Sequence, residues 1–438
     1  MGIIRADWES GQILTEGLRA ADHRRWDEGV GLDGGATDTA GGGAGENAGG
    51  YMVTQVARQS GWPMRGSRLR GVLCALVASL GLVSGVAEAQ TTCTVAPGAS
   101  LTTCLPAGSG DTWLLQGTAS LATPGLTLPP MTIDGGAGGS ILTLNNGAGT
   151  YGWLTTGGPT TLNLSNLTFT GGNNPAAGAA ISVGADLNIV INPGASLSFD
   201  HNDSYTGAVY TAGSSLTMGS GTATPAALIS FTNNTAGLLG GAIGSSLSVD
   251  LTAASIVLSG NTVTGGVLAR GAGGAIFSSG GTITLTGAVT MSDNTAVGGT
   301  NGNGGGIYTE GAGVVVNGSL TANNNRALNG GAGGAIYTVA GGITVTGSVD
   351  VEGNYASTDG GAFRSAQGVT LGLAGGDVTL KNNISTAYGG AIYTPTGVIA
   401  DIIIGNGTGA ITITGNKSGA DAGGNLIYNG YVGGGLMT

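Results

Sequence analysis

Short runs in which apolar and polar residues alternate recur along most of this chain. Ile283-Thr284-Leu285-Thr286 and Ile343-Thr344-Val345-Thr346 alternate strictly, as strands with one buried face do. Gly- and Asn-rich turns separate these runs, and no stretch within 90–438 keeps a long helical period. The pattern predicts many short strands and no helix bundle.

Two motifs recur in phase with the strands. The first is Gly-Gly-Ala-Ile or a close variant, at Gly240-Gly241-Ala242-Ile243, Gly273-Gly274-Ala275-Ile276, Gly304-Gly305-Gly306-Ile307, Gly333-Gly334-Ala335-Ile336, Gly360-Gly361-Ala362-Phe363, Gly389-Gly390-Ala391-Ile392 and Gly423-Gly424-Asn425-Leu426. The fourth residue steps by 33, 31, 29, 27, 29 and 34. The second is an apolar-x-x-Asn ending, at Asn202, Asn234, Asn261, Asn294, Asn325, Asn354, Asn383 and Asn416. From strand to Asn the span is 12 residues in 283–294, 314–325 and 343–354, but 15 in 247–261, 369–383 and 402–416. Length variation confined to one connection is expected of a solenoid, where insertions map to one face.

A unit of about thirty residues cannot bury its apolar face alone, but stacked copies can. One repeat per coil gives an all-β fold, a right-handed single-stranded parallel β-helix of about seven to nine coils, roughly 35–45 Å long at the usual strand spacing. In it the Gly pair permits backbone geometry or close approach that a Cβ would forbid. The fourth motif residue points inward. The fifth points outward and holds Gly244, Phe277, Tyr308, Tyr337, Arg364, Tyr393 and Ile427. The Asn residues suit left-handed turns and, in register, side-chain amide ladders. The row Phe277, Tyr308, Tyr337 and Tyr393 is the candidate binding stripe, able to stack on sugars or anchor a protein. The competing reading is a ladder that only stabilises coil stacking.

Composition narrows the class. Of 438 residues 91 are Gly, 41% are hydrophobic and only 8% charged, which excludes the charge-rich, apolar-poor make-up of disordered chains. Only 11 Pro occur and no three-residue period is visible, which excludes collagen. Eight of the 13 Lys+Arg lie at or before Arg70, and from Gln90 onward five basic residues face 14 acidic ones. No basic cluster exists there for nucleic acid or an anionic lipid surface.

Residues 64–89 read as a signal peptide. Arg65, Arg68 and Arg70 precede an apolar run, Val72 to Val86, and then Ala87-Glu88-Ala89 before Gln90. This is the order of basic, apolar and small-residue regions that export requires, and the run is too short for a membrane span. Residues 1–63 read as an over-extended or disordered N-terminus, with translation starting at Met64 or Met52, or as a long extended signal. Residues 90–130 form an N-terminal cap, and 131–438 the β-helix repeats. Cys93 and Cys104 remain after cleavage, an even pair for an oxidising compartment. They are either bridged or two free thiols.

Together the two motifs resemble the repeats of chlamydial polymorphic outer membrane proteins. Phe231-Thr232-Asn233-Asn234 followed by Gly240-Gly241-Ala242-Ile243 fits in full, and Phe199-Asp200-His201-Asn202 fits the second half. Elsewhere Leu, Met, Val, Ala or Ile replaces the Phe. The resemblance covers roughly 170–430. It implies an autotransporter-like passenger, displayed at or released from the cell surface, with adhesion to a host or neighbouring-cell protein or glycan. Such proteins end in a membrane β-barrel of alternating strands. That pattern does not occur before Thr438, so a barrel supplied by a missing C-terminal region and a freely secreted relative both stay open.

Chemistry is sparse. The rival reading is an extracellular polysaccharide lyase or hydrolase, which needs a base near Ca²⁺-binding acids or paired carboxylates. The exported part has one His, in Asp200-His201-Asn202-Asp203. This cluster is either a catalytic or metal site or a solvated turn, and its place in the apolar-x-x-Asn slot favours the turn. Asp350 and Glu352 could share a strand face. The Gly-rich segments 271–274 and 330–334 lack the Asp of Ca²⁺-binding nonapeptides, and no Gly-Lys-Ser/Thr follows them as in a phosphate loop. A Thr-x-Thr array for ice or a crystal face is suggested by Thr284/Thr286 and Thr344/Thr346, but Val315/Asn317 interrupts it. The sequence therefore predicts no catalysis, no cofactor and no metal.

Overall fold

The computed structural model describes residues 5–7, 12–14 and 90–438, apart from 106, 109, 122–125, 128, 145–153, 156–158, 266–270, 299–301, 396–400, 406, 426–433 and 438. The chain divides into two units, Met1–Gly85 and Val86–Thr438. In the first, Arg5–Asp7 pairs antiparallel with Gln12–Leu14. The rest of 1–63 and the segment 64–89, expected from its sequence to direct export, lie outside the described residues.

The second unit is a parallel β-helix. One coil runs through strands Leu187–Val190, Ser196–Asp200, Asp203–Ser204 and Val209–Thr211. The next runs through Leu216–Gly219, Ala226–Thr232, Thr235–Ala236 and Ile243–Ser245. Each strand pairs in parallel with its counterpart one coil on. The short two-residue strands stack nine deep and the Gly-Gly-Ala-Ile strands eleven deep. In two coils the first two strands merge into one, Val249–Ser259 and Thr282–Ser292. Length varies between these two strands and also between the ladder Asn and the Gly-Gly pair, as in 261–273 against 354–360, so the expectation that variation is confined to one connection is corrected.

Alternation builds the core. In Ser196–Asp200 the side chains of Leu197 and Phe199 are fully buried, and their neighbours face outward. The fourth motif residues Ile243, Ile276, Ile307, Ile336, Phe363 and Ile392 form one buried column in register. Phe169, Phe199 and Phe231 stack face to face, with centroids 5.1 and 4.7 Å apart, an arrangement that adds to their burial.

The two glycines of each motif do different work. The first is left-handed, as at Gly240 (φ 55°), Gly273 (φ 68°), Gly333 (φ 65°) and Gly389 (φ 59°). A side chain is strained there. The second is not left-handed. At Gly241, Gly274, Gly334 and Gly390 an added Cβ would collide with the carbonyl oxygen of the matching glycine in the next coil. That glycine is Gly434 for Gly390, and Ile392 pairs with Leu436. The last copy of the motif is therefore Gly434-Gly435-Leu436, and the expectation that Gly423-Gly424-Asn425-Leu426 fills this place is corrected. Gly423 and Gly424 sit in a tight turn closed by the Gly424 N–H to the Asp421 carbonyl.

The second motif supplies the internal polar column. Each Asn side-chain N–H donates to the side-chain oxygen of the next: Asn202 to Asn234, then Asn261, Asn294, Asn325, Asn354, Asn383 and Asn416, at 2.9–3.0 Å. Each of those oxygens also accepts the backbone N–H of the preceding Asn. The other amide hydrogen goes to a carbonyl of the preceding coil, as from Asn294 to Leu258 at 2.8 Å. The residue before each Asn is left-handed in every one of these coils: His201, Asn233, Gly260, Asp293, Asn324, Gly353, Asn382 and Gly415. Asn, Asp and Gly tolerate that conformation best.

The parallel ladder begins earlier than the repeats do. Thr92–Val95 pairs with Thr112–Leu115, which pairs with Met131–Asp134. Residues 90–130 are thus part of the stack as well as its cap. They were not legible as such because neither motif occurs there. The cap proper is the 3₁₀ turn Leu101–Cys104, with Leu101 and Cys104 buried over Val95 and Trp113. Cys93 and Cys104 are joined by a disulfide.

Asn294→Ala removes a buried donor and acceptor from mid-ladder and strands the Asn261 amide, at a cost of about 3 kcal/mol. Asn416→Ala, on the last rung, should cost about 1 kcal/mol. Urea unfolding midpoints with unchanged slope test this. Equal losses at the two sites would contradict a continuous ladder.

Candidate binding surface

The fifth motif position faces outward from the Gly-Gly-Ala-Ile strands. Tyr210, Gly244, Phe277, Tyr308, Tyr337, Arg364 and Tyr393 follow one another in register there. All four members of the predicted stripe are therefore brought into one row. They are not, however, equally open. Phe277 and Tyr308 are only 7% and 4% exposed. Ala272 and Leu239, joined by a parallel bridge, pack over them. An outward-facing strand position is covered here by the chain's own connections, so the expectation of a fully exposed stripe is corrected. Tyr337 and Tyr393 are half-buried.

Ring orientation matters as much. The Phe277 and Tyr308 rings stack at 5.9 Å with a 24° interplanar angle, and Tyr308 meets Tyr337 edge-on at 5.2 Å. The Arg364 guanidinium lies 4.4 Å from the Tyr337 ring centroid and 5.9 Å from that of Tyr393, within cation–π range. Tyr388 stacks on Tyr393 at 5.7 Å. The rings thus spend most of their faces on each other and on Arg364. That geometry supports coil stacking and leaves little ring face for a flat sugar.

The open end of the row also holds a charge pair. Asp359 Oδ2 is 3.8 Å from Arg364 Nε, too far for a hydrogen bond. Arg364 Nε is buried without a hydrogen-bond partner. Burial pushes the Asp359 carboxyl above its ordinary value, and the Tyr388 N–H draws it only part of the way back. Burial likewise lowers the Arg364 guanidinium.

The other acids serve turns and rungs. Burial alone would raise Asp200, but hydrogen bonds from Thr232, His201 and Asn233 outweigh it and hold the carboxyl below its ordinary value. His201 Nδ1 lies 2.7 Å from Asp200, yet His201 itself occupies the left-handed turn position. The Asp200–Asp203 cluster is thus a turn of the repeat. Glu352 meets Lys381 at 3.2 Å across adjacent rungs. Asp421 accepts the Gly423 and Asn425 N–H groups in its own turn. Val315 and Asn317 lie between the Thr284/Thr286 and Thr344 rungs, so the threonine array is interrupted. Among the described residues no three His, Cys, Asp or Glu converge as metal ligands. Nor is any helix long and apolar enough to cross a membrane.

One buried column was missed in the sequence. Thr211, Ser245, Ser278, Thr309, Thr338 and Ser365 occupy the sixth motif position, all buried. They cap the turn that follows, as when the Ser365 hydroxyl donates to the Gly368 carbonyl at 2.7 Å. The signal was present as an invariant hydroxyl two residues after the large apolar one.

Three segments, 228–246, 288–310 and 377–395, match the Chlamydia polymorphic membrane protein repeat. Each begins at the strand before the ladder Asn and runs through the Gly-Gly-Ala-Ile strand. The chain carries polymorphic membrane protein repeats. Those repeats, stacked as a β-solenoid, are what a polymorphic membrane protein passenger would present. No curated protein and no solved structure matches the chain at a significant level.

Tyr308→Ser should destabilise the fold by about 3 kcal/mol, as loss of a buried aromatic does, whereas Tyr393→Ser should cost about 1 kcal/mol. Thermal melts decide between this gradient and an equal effect at both positions. For Asp359, the folded chain holds its proton more tightly than the unfolded chain. Stability from the protonated form is therefore present below the unfolded-state value and lost as pH rises through the folded one. Relative to Asp359→Asn, the wild type should gain stability as pH falls through the carboxylate range. Parallel pH profiles for the two proteins would show that burial at Asp359 has no such effect.

Proposed function

We propose that this chain is the exported passenger of a bacterial surface protein, a β-solenoid rod that acts by adhesion and not by catalysis. The observation that carries this reading is the placement of the three repeat matches in one unbroken asparagine ladder. Family kinship favours a location at the outer membrane or cell surface. Of the acids of the rival polysaccharide-active reading, Asp200 is engaged by Thr232, His201 and Asn233 and Glu352 by Lys381 and Asn382, which supports a non-catalytic role. A membrane β-barrel anchor, supplied by sequence beyond Thr438, belongs to the same proposal.

The binding face is the half-exposed end of the row, with Tyr337, Arg364 and Tyr393. Tyr and Arg are the side chains that most often dominate protein interfaces, and rings presented mainly by their edges suit a protein surface better than a sugar plane. The double variant Tyr337→Ser/Tyr393→Ser should reduce adherence of the purified protein to host or neighbouring cells by about tenfold or more, with the circular dichroism of the β-helix retained. Undiminished adherence would remove this face from the proposal. Turnover on an acidic polysaccharide that Asp200→Ala abolishes would replace adhesion with the enzyme reading.

Export rests on residues 64–89. In a secreting bacterium the mature protein should begin at Gln90, read by mass spectrometry of the N-terminal peptide. An exported chain that retains 64–89 would contradict cleavage there.

A further inference from the structure

The connection that precedes each Gly-Gly-Ala-Ile strand forms a column of its own. The first motif glycine of one coil donates its N–H to a carbonyl of the next, in turn that of Ala272, Asn303, Ala332, Asp359 and Tyr388. Each of these lies five residues before the row position of its own coil, Phe277, Tyr308, Tyr337, Arg364 and Tyr393. As far as Tyr337 both columns are uncharged. One coil later both change at once, to Asp359 and Arg364, and in the coil after that both return to tyrosine, Tyr388 and Tyr393.

An internal ion pair would account for the exchange if the two side chains met, and they do not. Asp359 Oδ2 stays 3.8 Å from Arg364 Nε, beyond hydrogen-bonding distance, and Asp359 Oδ1 accepts the Tyr388 N–H instead, at 3.4 Å. Arg364 Nε is buried without a partner. The connections around it, 328–335, 357–362 and 386–391, are all described, and among the described residues no acceptor takes an N–H of this guanidinium. A guanidinium offers five donors in a planar fork, and a buried donor left unmade is costly. This fork is nevertheless held in place, 4.4 Å from the Tyr337 ring centroid and 5.9 Å from that of Tyr393. Rings that fix a fork beforehand lower the ordering cost of binding to it. The side chain is 23% exposed, so the fork is reachable from solvent.

We infer that Arg364 is a carboxylate-binding site, occupied by an Asp or Glu side chain of a protein partner; the occupant, though not the site, rests on the adhesive reading. A carboxylate matches the fork in shape and can accept two of its N–H groups side by side. One cation with an acid beside it suits a single negative charge better than the roughly two of a phosphate. A sugar acid would bring its ring against Tyr337 and Tyr393, whose faces are already taken up by Tyr308, Arg364 and Tyr388, whereas an acidic side chain needs only the guanidinium.

The test follows the arginine Nε–H signals of the full chain by NMR during titration with the N-acetylated, C-amidated tripeptide Gly-Glu-Gly. The signal lost in Arg364→Lys identifies Arg364, and the one lost in Arg326→Lys serves as a second arginine packed on a single ring, that of Tyr355. The Arg364 signal should shift saturably, and the matched Gly-Gln-Gly peptide should bind about tenfold more weakly or worse. Both peptides are read against the wild-type chain, so the outcome does not hinge on how a variant folds. Asp359→Asn removes the competing charge and should tighten the Glu peptide about threefold. No saturable shift at Arg364, an equal shift at Arg326, or equal binding of the two peptides would overturn the site. Tighter binding of glucuronic acid than of the Glu peptide would overturn the protein occupant in favour of an acidic glycan. The adhesive reading fails separately: a silent Arg364 with adherence lost in Tyr337→Ser/Tyr393→Ser sinks the carboxylate site alone. Peptide binding at Arg364 with adherence undiminished in that double variant supports the site and removes this face from adhesion.

Discussion

A column of buried carboxamides, one per coil from Asn202 to Asn416, sets the terms on which the repeat region is built. A carboxamide carries an acceptor and two donors on one short arm, so one residue type can bond upward, downward and to its own backbone. Asp would lack the donors, and Ser would offer a single hydrogen where two are used. Because an unmade hydrogen bond in a buried site costs more than a made one contributes, each rung is satisfied only when its neighbours stand in register. The ladder thus couples successive coils through residues 27–33 positions apart, and the coil spacing leaves no room for side chains at the second glycine of the motif.

That coupling explains where the chain is free to vary. Between the ladder Asn and the Gly-Gly pair the connection ranges from compact to long, as in 354–360 against 261–273, without disturbing either column. Between the first and second strands the two coils built as one continuous strand differ by a single residue, taken up as a bulge between Thr252 and Ser255, whereas 369–383 is three residues longer than 343–354 and carries a turn between its strands. Alternating sequence cannot slip by one residue without turning Ile and Leu outward, and the ladder adds a polar penalty to the same slip.

Much of this was legible in the sequence because the repeats are strict where geometry is strict. The inward fourth position, the glycine pair and the asparagine ladder all follow from residues that recur in phase. The failures have equally physical sources. Residues 90–130 carry strands without either motif, because the asparagine ladder starts only at Asn202, several coils further on. Gly423-Gly424 mimics the motif in a turn, and only pairing distinguishes it from Gly434-Gly435. The row Phe277, Tyr308, Tyr337, Tyr393 was found by spacing, but spacing carries no information about what covers an outward face. Ala272 and Leu239, each five residues before a row position in its own coil, close half of it.

The aromatic row also shows why placement alone does not make a recognition site. Packing at coil spacing turns each ring toward its neighbour, face to face at Phe277–Tyr308 and edge-on at Tyr308–Tyr337, so the contribution goes first to cohesion between coils. Where the series is interrupted, at Arg364, a planar cation fills the gap between two tyrosines and keeps the stack continuous. The interruption brings with it a charge that the interior does not fully satisfy, since Asp359 stays beyond hydrogen-bonding distance. A repeat protein made of near-identical layers acquires a distinctive surface only where one layer departs from the pattern. Along the row the departures are Gly244, which leaves no ring, and Arg364, which alone brings a charge.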